Sequence, residues 1–199
     1  MNLTTGPAGR VSRDRRRQQL VAAALAVLLE QGPDAVTTRR VAERAGAPLA
    51  AVHYVFRDKQ ELLQAAVDQV MQSFASALQQ RMRPELGLRQ AVADSLDGYW
   101  SWVCAHEDMS LAATETFVSA LRAGTVAGTA VADVLQLLTA HYEQAASYDA
   151  RAPRTPIPRL ARLVLTASEG LTLVYLAQRD PAATQADLQE LRSALHGMI

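Results

Sequence analysis

The side chains able to carry covalent or acid–base chemistry are scattered along the chain. His53, His106, His141 and His196 have no metal-ligand spacing among themselves, and His106-Glu107 does not extend into HExxH. There is no nucleophile elbow, phosphate loop or dinucleotide fingerprint. The expectation is therefore no enzyme, no metal and no cofactor. What is concentrated is positive charge. Residues 1–63 hold ten Lys/Arg against six Asp/Glu, and residues 64–199 hold ten against fourteen, so a neutral chain is a basic head on an acidic body. Arg13, Arg15, Arg16 and Arg17 precede the first apolar run, Arg39 and Arg40 follow a Thr-Thr pair, and Lys59 is the only lysine. The chemistry they offer is attraction of an anion.

Among these cations lies AGAPLAAVHYVF, residues 45–56, which contains no charged residue. Helical spacing puts Val52, Val55 and Phe56 on one face, for burial. Ala50 and Tyr54 then point away from it, with Ala51 and His53 on the flanks and Leu49 at the margin. An exposed face without acids can enter the major groove of DNA, which admits one helix. Small alanines permit close approach, and Leu or Ala can touch thymine methyls. Tyr54 and His53 can donate to phosphates or base edges. An alternative from another class, a helical protein-interaction module, is disfavoured by the basic flanks.

The elements that must position this face are helices throughout, since helical periodicity is general and strand alternation nearly absent. The first spans about Arg13–Gln31 and stops at Gly32-Pro33. A second begins near Thr37-Thr38 and ends by Gly46. The third covers about Pro48–Phe56. With the turn Ala45-Gly46-Ala47 these two make a helix-turn-helix, and both must pack on the first helix because neither is stable at such length. A fourth, capped by Asp58, runs from Lys59 to about Arg83 and carries Met71, Phe74 and Leu78 onward into the body. Further helices follow at about 88–106, 109–123, 125–148, 160–178 and from 184 onward, and the proline-rich stretch 150–159 is an exposed connection. The class is all-α, with about nine helices and a boundary at 63/64.

The stretch TTRRVAERAGAPLAAVHYVFRDKQELL strongly resembles the DNA-binding region of the TetR (tetracycline repressor-like) transcriptional regulators. Val52, His53, Phe56, Lys59 and Leu62 occupy its Leu-Tyr-x-x-Phe-x-x-Lys-x-x-Leu pattern, while Leu20, Ala23-Ala24, Leu28 and Gly32 match upstream. The resemblance implies phosphate contacts from Thr38, Lys59 and Tyr54 or His53. It implies base-edge contacts from Arg39 and from Leu49, Ala50, Ala51 and Tyr54. Pro48, Leu49, Ala50 and Ala51 stand where members of the family often carry Ser, Lys/Arg, Gly and Thr. The recognition helix is therefore lean, relying on apolar contacts, Arg39 and an Arg-rich arm.

The resemblance also implies that residues 64–199 bind a small-molecule effector and dimerise. Candidate effector contacts are Tyr99, Trp100, Trp102, His106, Phe117, His141, Tyr142, Thr166 and Glu169; the plainer reading of each is core aromatic or solvated acid. The candidate homodimer interface is a four-helix arrangement of Leu160, Leu163, Ala167, Leu171 and Val174 with Leu188, Leu191 and Leu195, the alternative being burial within one chain. Two heads would then reach half-sites about 34–36 Å apart on a palindromic operator. The expected function is a ligand-released repressor, with a TetR-type activator as the alternative. The lone Cys104 suits a reducing compartment and a core position. No uncharged run of about 18 residues was found, and the helical continuation of the first apolar run argues against a signal peptide. A cytoplasmic protein without a membrane partner is expected.

Overall fold

The computed structural model describes residues 12–122 and 128–199. Among them are nine α-helices, two short 3-10 turns and no strand. The chain forms two compact units, Met1–Gln69 and Val70–Ile199.

In the first unit, α1 (Arg13–Gln31) is capped by Ser12, whose hydroxyl accepts from the Arg15 N–H. It ends where Gly32 takes φ 79° and its N–H reaches the Leu28 carbonyl. A 3-10 turn, Pro33–Ala35, leads to α2 (Thr38–Arg44), whose cap is the Thr37 hydroxyl. The link to α3 (Leu49–Val55) is a Schellman closure: the Gly46 N–H bonds Glu43 O, and the Ala47 N–H bonds Ala42 O. Gly46 sits at φ 59°, where a β-carbon would be strained although space for one exists. Val41, Ala42, Val52, Val55 and Phe56 are buried with Leu20, Ala24, Val27 and Leu28 of α1. Asp58 caps the start of α4 (Lys59–Gln79) through the Glu61 N–H. That helix begins in the first unit and ends in the second.

The second unit is organised around α5 (Leu88–Ala105), which packs against α6 (Glu107–Arg122), α7 (Gly128–Ala146), α8 (Ile157–Gln178) and α9 (Pro181–His196). The entry to α5 is held from 61 residues away, where the Asp149 carboxylate accepts the Leu88 N–H. Gly87 precedes it at φ 84°, and a β-carbon there would lie 2.4 Å from that carboxylate. By length and composition α8 could cross a membrane. This differs from the reading of the sequence, because the stretch tolerates isolated charges such as Glu169. In the fold it packs on α5, α7 and α9, burying Leu160, Ala161, Val164, Ser168, Thr172 and Tyr175.

Several ends differ from expectation. α4 stops at Gln79, and a 3-10 turn, Pro84–Leu86, follows before α5. α8 begins at Ile157, with Pro158 accommodated in its first turn. α8 ends at Gln178, so Asp180-Pro181 is the expected stop, but it is also the start of α9, ahead of the expected Thr184: the Asp180 carboxylate caps the Ala182 and Ala183 N–H groups, and Pro181 opens the helix. Residues 123–127, placed across two helix ends, lie outside the described residues. Cys104, expected in the core, is exposed on α5; partial burial and Glu107 together hold its thiol pKa above the ordinary value.

Two predictions follow from this packing. Phe56, 1% exposed, is a large core side chain, and Phe56→Ala should lower unfolding free energy by about 3–5 kcal/mol in urea titration. His141 is buried beside Tyr142 on α7, and desolvation lowers its pKa from 6.5 although Asp94 and Glu85 oppose the shift. The unfolded chain therefore binds a proton below 6.5 that the fold resists, so stability should fall as pH drops from 6.5 towards the folded pKa. Unfolding midpoints of His141→Asn across that range should show a flatter slope than those of the parent; an unchanged slope would assign the proton elsewhere.

Candidate nucleic-acid interface and ligand crevice

Val52 and Val55 are the residues of α3 committed to the core. Leu49, Ala50, His53 and Tyr54 are exposed, Tyr54 at 71%, while Ala51 is half-buried and Pro48 is exposed just ahead of them. Arg13, Arg15, Arg16 and Arg17 do not form a loose arm; they are within the first five residues of α1. Arg13 stacks over the Tyr54 ring at 5.9 Å and Arg17 over the Phe56 ring at 5.3 Å, so both border α3. Arg16 bonds Gln19, whose amide in turn donates to Ala45 O in the turn between α2 and α3.

The electrostatics of this surface oppose its own helices. Four arginines with only Asp14 among them crowd the start of α1, where the helix dipole is positive. Arg39 is 84% exposed and pairs with Glu43 at 3.2 Å, an exposed contact that yields readily to a stronger anion. The Lys59 ammonium donates to Asp34 O at 3.1 Å, which fixes it against the 3-10 turn and leaves two further donors. Thr38 is half-buried at the start of α2, next to the capping Thr37. Cationic side chains thus flank an acid-free helix face, an arrangement that can hold a phosphate backbone while the helix meets base edges.

In the second unit, Phe74 and Leu78 of α4, Ser95 and Tyr99 of α5, Val134 and Leu138 of α7, and Val164, Leu165 and Ser168 of α8 line a crevice. It holds about 220 Å³ of empty space, part of it open to solvent. Of the expected effector contacts, Tyr99 lines it. Trp102 lies beside it, edge-on to Phe74 at 5.4 Å, stacked on His106 and donating to Ser73. Trp100 instead packs edge-on against Tyr175 at 4.8 Å. His141 and Tyr142 are buried; among the described residues His141 Nε2 has no hydrogen-bond partner, while the Tyr142 hydroxyl lies beside Ser95 and desolvation raises its pKa. Phe117 is 41% exposed on α6. Thr166 is exposed because Ser168 and Thr172 take the inward positions of α8. Glu169 is exposed as a residue, yet desolvation raises the pKa of its carboxylate, and burial raises that of the Tyr99 hydroxyl, which accepts from Thr172 Oγ1 at 3.3 Å. Sequence reasoning missed Ser95, Ser168 and Thr172; small hydroxyls on otherwise apolar helical stripes were the available signal.

The expected interface residues separate into three groups. Leu160, Leu188 and Leu195 are at most 4% exposed and pack inside the chain, so they offer no surface to a second copy. Leu163, Ala167, Leu171 and Leu191 are half-buried. Val174 is 46% exposed, beside Leu173 at 53% and Gly170, where a β-carbon would meet nothing within 4 Å. The leucine periodicity of α9 records burial within its own unit; exposed apolar side chains lie on the outer side of α8, at Leu173 and Val174, and on α6, at Leu111, Phe117, Val118 and Leu121.

The family described as bacterial regulatory proteins, tetR family, matches residues 20–66. Over 177 residues, 87% of this chain and 89% of the relative, the chain is 30% identical to the HTH-type nicotine-responsive transcriptional repressor HdnoR of Paenarthrobacter nicotinovorans. It is 28% identical over 94 residues, 47% of this chain and 43% of the relative, to the HTH-type transcriptional activator FasR of Mycolicibacterium smegmatis. Its fold is similar to that of the multidrug binding protein EbrR complexed with imidazole, with TM-score 0.71, 22% identity and 93% of each chain covered. A TetR-family transcriptional regulator from Rhodococcus sp. gives TM-score 0.72 at 22% identity, covering 92% of this chain and 97% of that one. With a helix-turn-helix head, an all-helical body and a relative matched along nearly its whole length, the chain belongs to the tetR family of bacterial transcriptional regulators.

Proposed function

We propose that this regulator is a repressor that binds a palindromic operator as a homodimer and leaves it when a small molecule occupies the second unit. The observation that carries the reading is the acid-free outer face of α3, Leu49, Ala50, His53 and Tyr54, bordered by Arg13 and Arg17. Residues 1–63 are assigned to DNA and 64–199 to effector and dimer. Thr38, Lys59, His53 and the α1 arginines take phosphates, and Arg39 exchanges Glu43 for a guanine edge. A repressor is favoured over an activator by the extent of the match to HdnoR, against the shorter match to FasR. The protein works in the cytoplasm, without cofactor or catalysis.

The effector site is the crevice. The space enclosed there is about 10 Å³, room for about one water molecule, so a small-molecule occupant must open it. Phe74 and Leu78, which line it, belong to the same continuous helix as Lys59. An effector that moves them therefore acts on the helix that starts beside the phosphates, and it releases DNA only by preferring the displaced state. The dimer forms across the outer side of α8. Gly170 costs that helix about 1 kcal/mol relative to alanine, which a closely approaching partner helix would account for.

Fluorescence anisotropy on DNA upstream of the protein's own gene, against a scrambled duplex, should give selective binding at two chains per site. Its affinity should fall steeply with salt. Tyr54→Ala should weaken operator binding by about tenfold or more, as for a lost hydrogen bond to a charged group of about 1.5–3 kcal/mol. Its unfolding midpoint should stay unchanged. Equal loss of stability would place Tyr54 in the core instead. Val174→Arg should turn the dimer into a folded monomer in analytical ultracentrifugation and remove cooperative operator binding. A Val174→Arg protein that remains dimeric would move the interface off α8.

A further inference from the structure

α6 (Glu107–Arg122) is built inside out. The side chains it buries are small, Ser110 and Ala112, while Leu111, Phe117, Val118 and Leu121 stand exposed, Leu121 at 59%. The inward hydroxyls are satisfied within the helix: Ser110 donates to His106 O and Thr116 to Ala112 O. At its start α6 is fixed to its own unit, where the Glu107 carboxylate accepts from the Tyr175 hydroxyl and from Arg179. A helix that packs through small side chains and keeps its large ones in water has its apolar face turned towards a partner.

The order of those residues identifies the partner. Leu111, Thr114, Val118 and Leu121 recur at i, i+3, i+7 and i+10, a seam about 80° wide. Thr114 joins it through its methyl group, since its hydroxyl donates to Ser110 O. Leu111 with Leu121, and Thr114 with Val118, are both centred on residue 116. A two-fold axis at that level lays the seam antiparallel on its own copy, Leu111 against Leu121 and Thr114 against Val118. The same rotation sets each flank of the helix against the same flank of its copy. Phe117, one residue from the centre, meets the Phe117 of the second copy on one flank. On the other flank Asp108 and Arg122 are centred on residue 115, about 1.5 Å of helical rise from the axis. The acid of each copy thus faces the arginine of the other at both ends of the pair. Both side chains are exposed, and the ion pairs of this unit, Arg83–Asp94, Arg179–Glu107 and Arg192–Asp97, use neither. Parallel pairing would instead set like charges together at each end.

We propose that α6 is a self-association face, pairing two-fold and antiparallel with α6 of a second copy. It lies on a different helix from the dimer face assigned to α8 and does not rest on that assignment. With both faces in use, two dimers join into a tetramer. A single helix pair is smaller than the roughly 1,200 Å² of stable interfaces, so the association is reversible and grows with concentration.

Sedimentation velocity of the full chain across a wide range of concentration should show dimers giving way to tetramers. Val118→Arg should hold the protein at dimer throughout, with helicity and thermal midpoint unchanged because Val118 is exposed. Val174→Arg should leave monomers that pair only as concentration rises, and the double variant should stay monomeric. Asp108→Arg and Arg122→Asp should each weaken the association severalfold, since each sets like charges at both ends of the pair. An equimolar mixture of those two variants should restore it, because the opposite charges then meet across the axis. A Val118→Arg protein with the parent's profile at every concentration overturns the proposal, as does a mixture that associates no better than either variant alone. A parent dimer that Val118→Arg converts to monomer supports the α6 pair and takes the dimer face away from α8, so the two assignments fail separately.

Discussion

A helix of seven residues has no stability of its own, and this protein builds its candidate interface from two of them. Both exist only because Val41, Ala42, Val52, Val55 and Phe56 are buried with α1. That burial also decides what remains outside. In two turns of helix, committing Val52 and Val55 to the core leaves Ala50, His53 and Tyr54 no position but the surface. The presented face is thus a by-product of the packing, and it is held as rigidly as the core that produces it. The Schellman closure at Gly46 sets the angle at which this face is offered.

The same head accepts electrostatic costs that folding alone would not select. Arginines crowd the positive end of α1, and Lys59 opens α4 at an equally unfavourable end. Stacking of Arg13 and Arg17 on aromatic rings offsets part of the cost and keeps the guanidinium groups beside α3. In the second unit, among the described residues, no ion pair engages Glu169.

How much of this was legible in the sequence depends on what each residue's neighbours had to be. The first three helices could be read almost to the residue, because Gly32, Thr37, Gly46 and the Val52/Val55/Phe56 stripe act locally. The start of α9 was misread because Pro181 is compatible with both a stop and a first turn, and the Asp180 cap decides between them. The dimer face was harder. A leucine stripe has the same period whether it faces its own chain or a second copy, and Leu188 and Leu195 face their own. The crevice was least legible, since it is formed by residues from four helices and only contact tells Tyr99 from Phe117. Glu169 stood out because an acid inside an apolar helix is locally anomalous wherever the helix packs.

Lys59 is the only lysine among the chain's twenty basic residues; every other cation is an arginine. Guanidinium groups stay protonated at any pH a cell reaches, and they do not react with the acyl donors that neutralise amines. The positive field of the head is therefore nearly immune to metabolic acylation and to acidification or alkalinisation of its surroundings. The exception is a single ε-amine, pinned at Asp34 O, at the first residue of the helix that runs from one unit into the other.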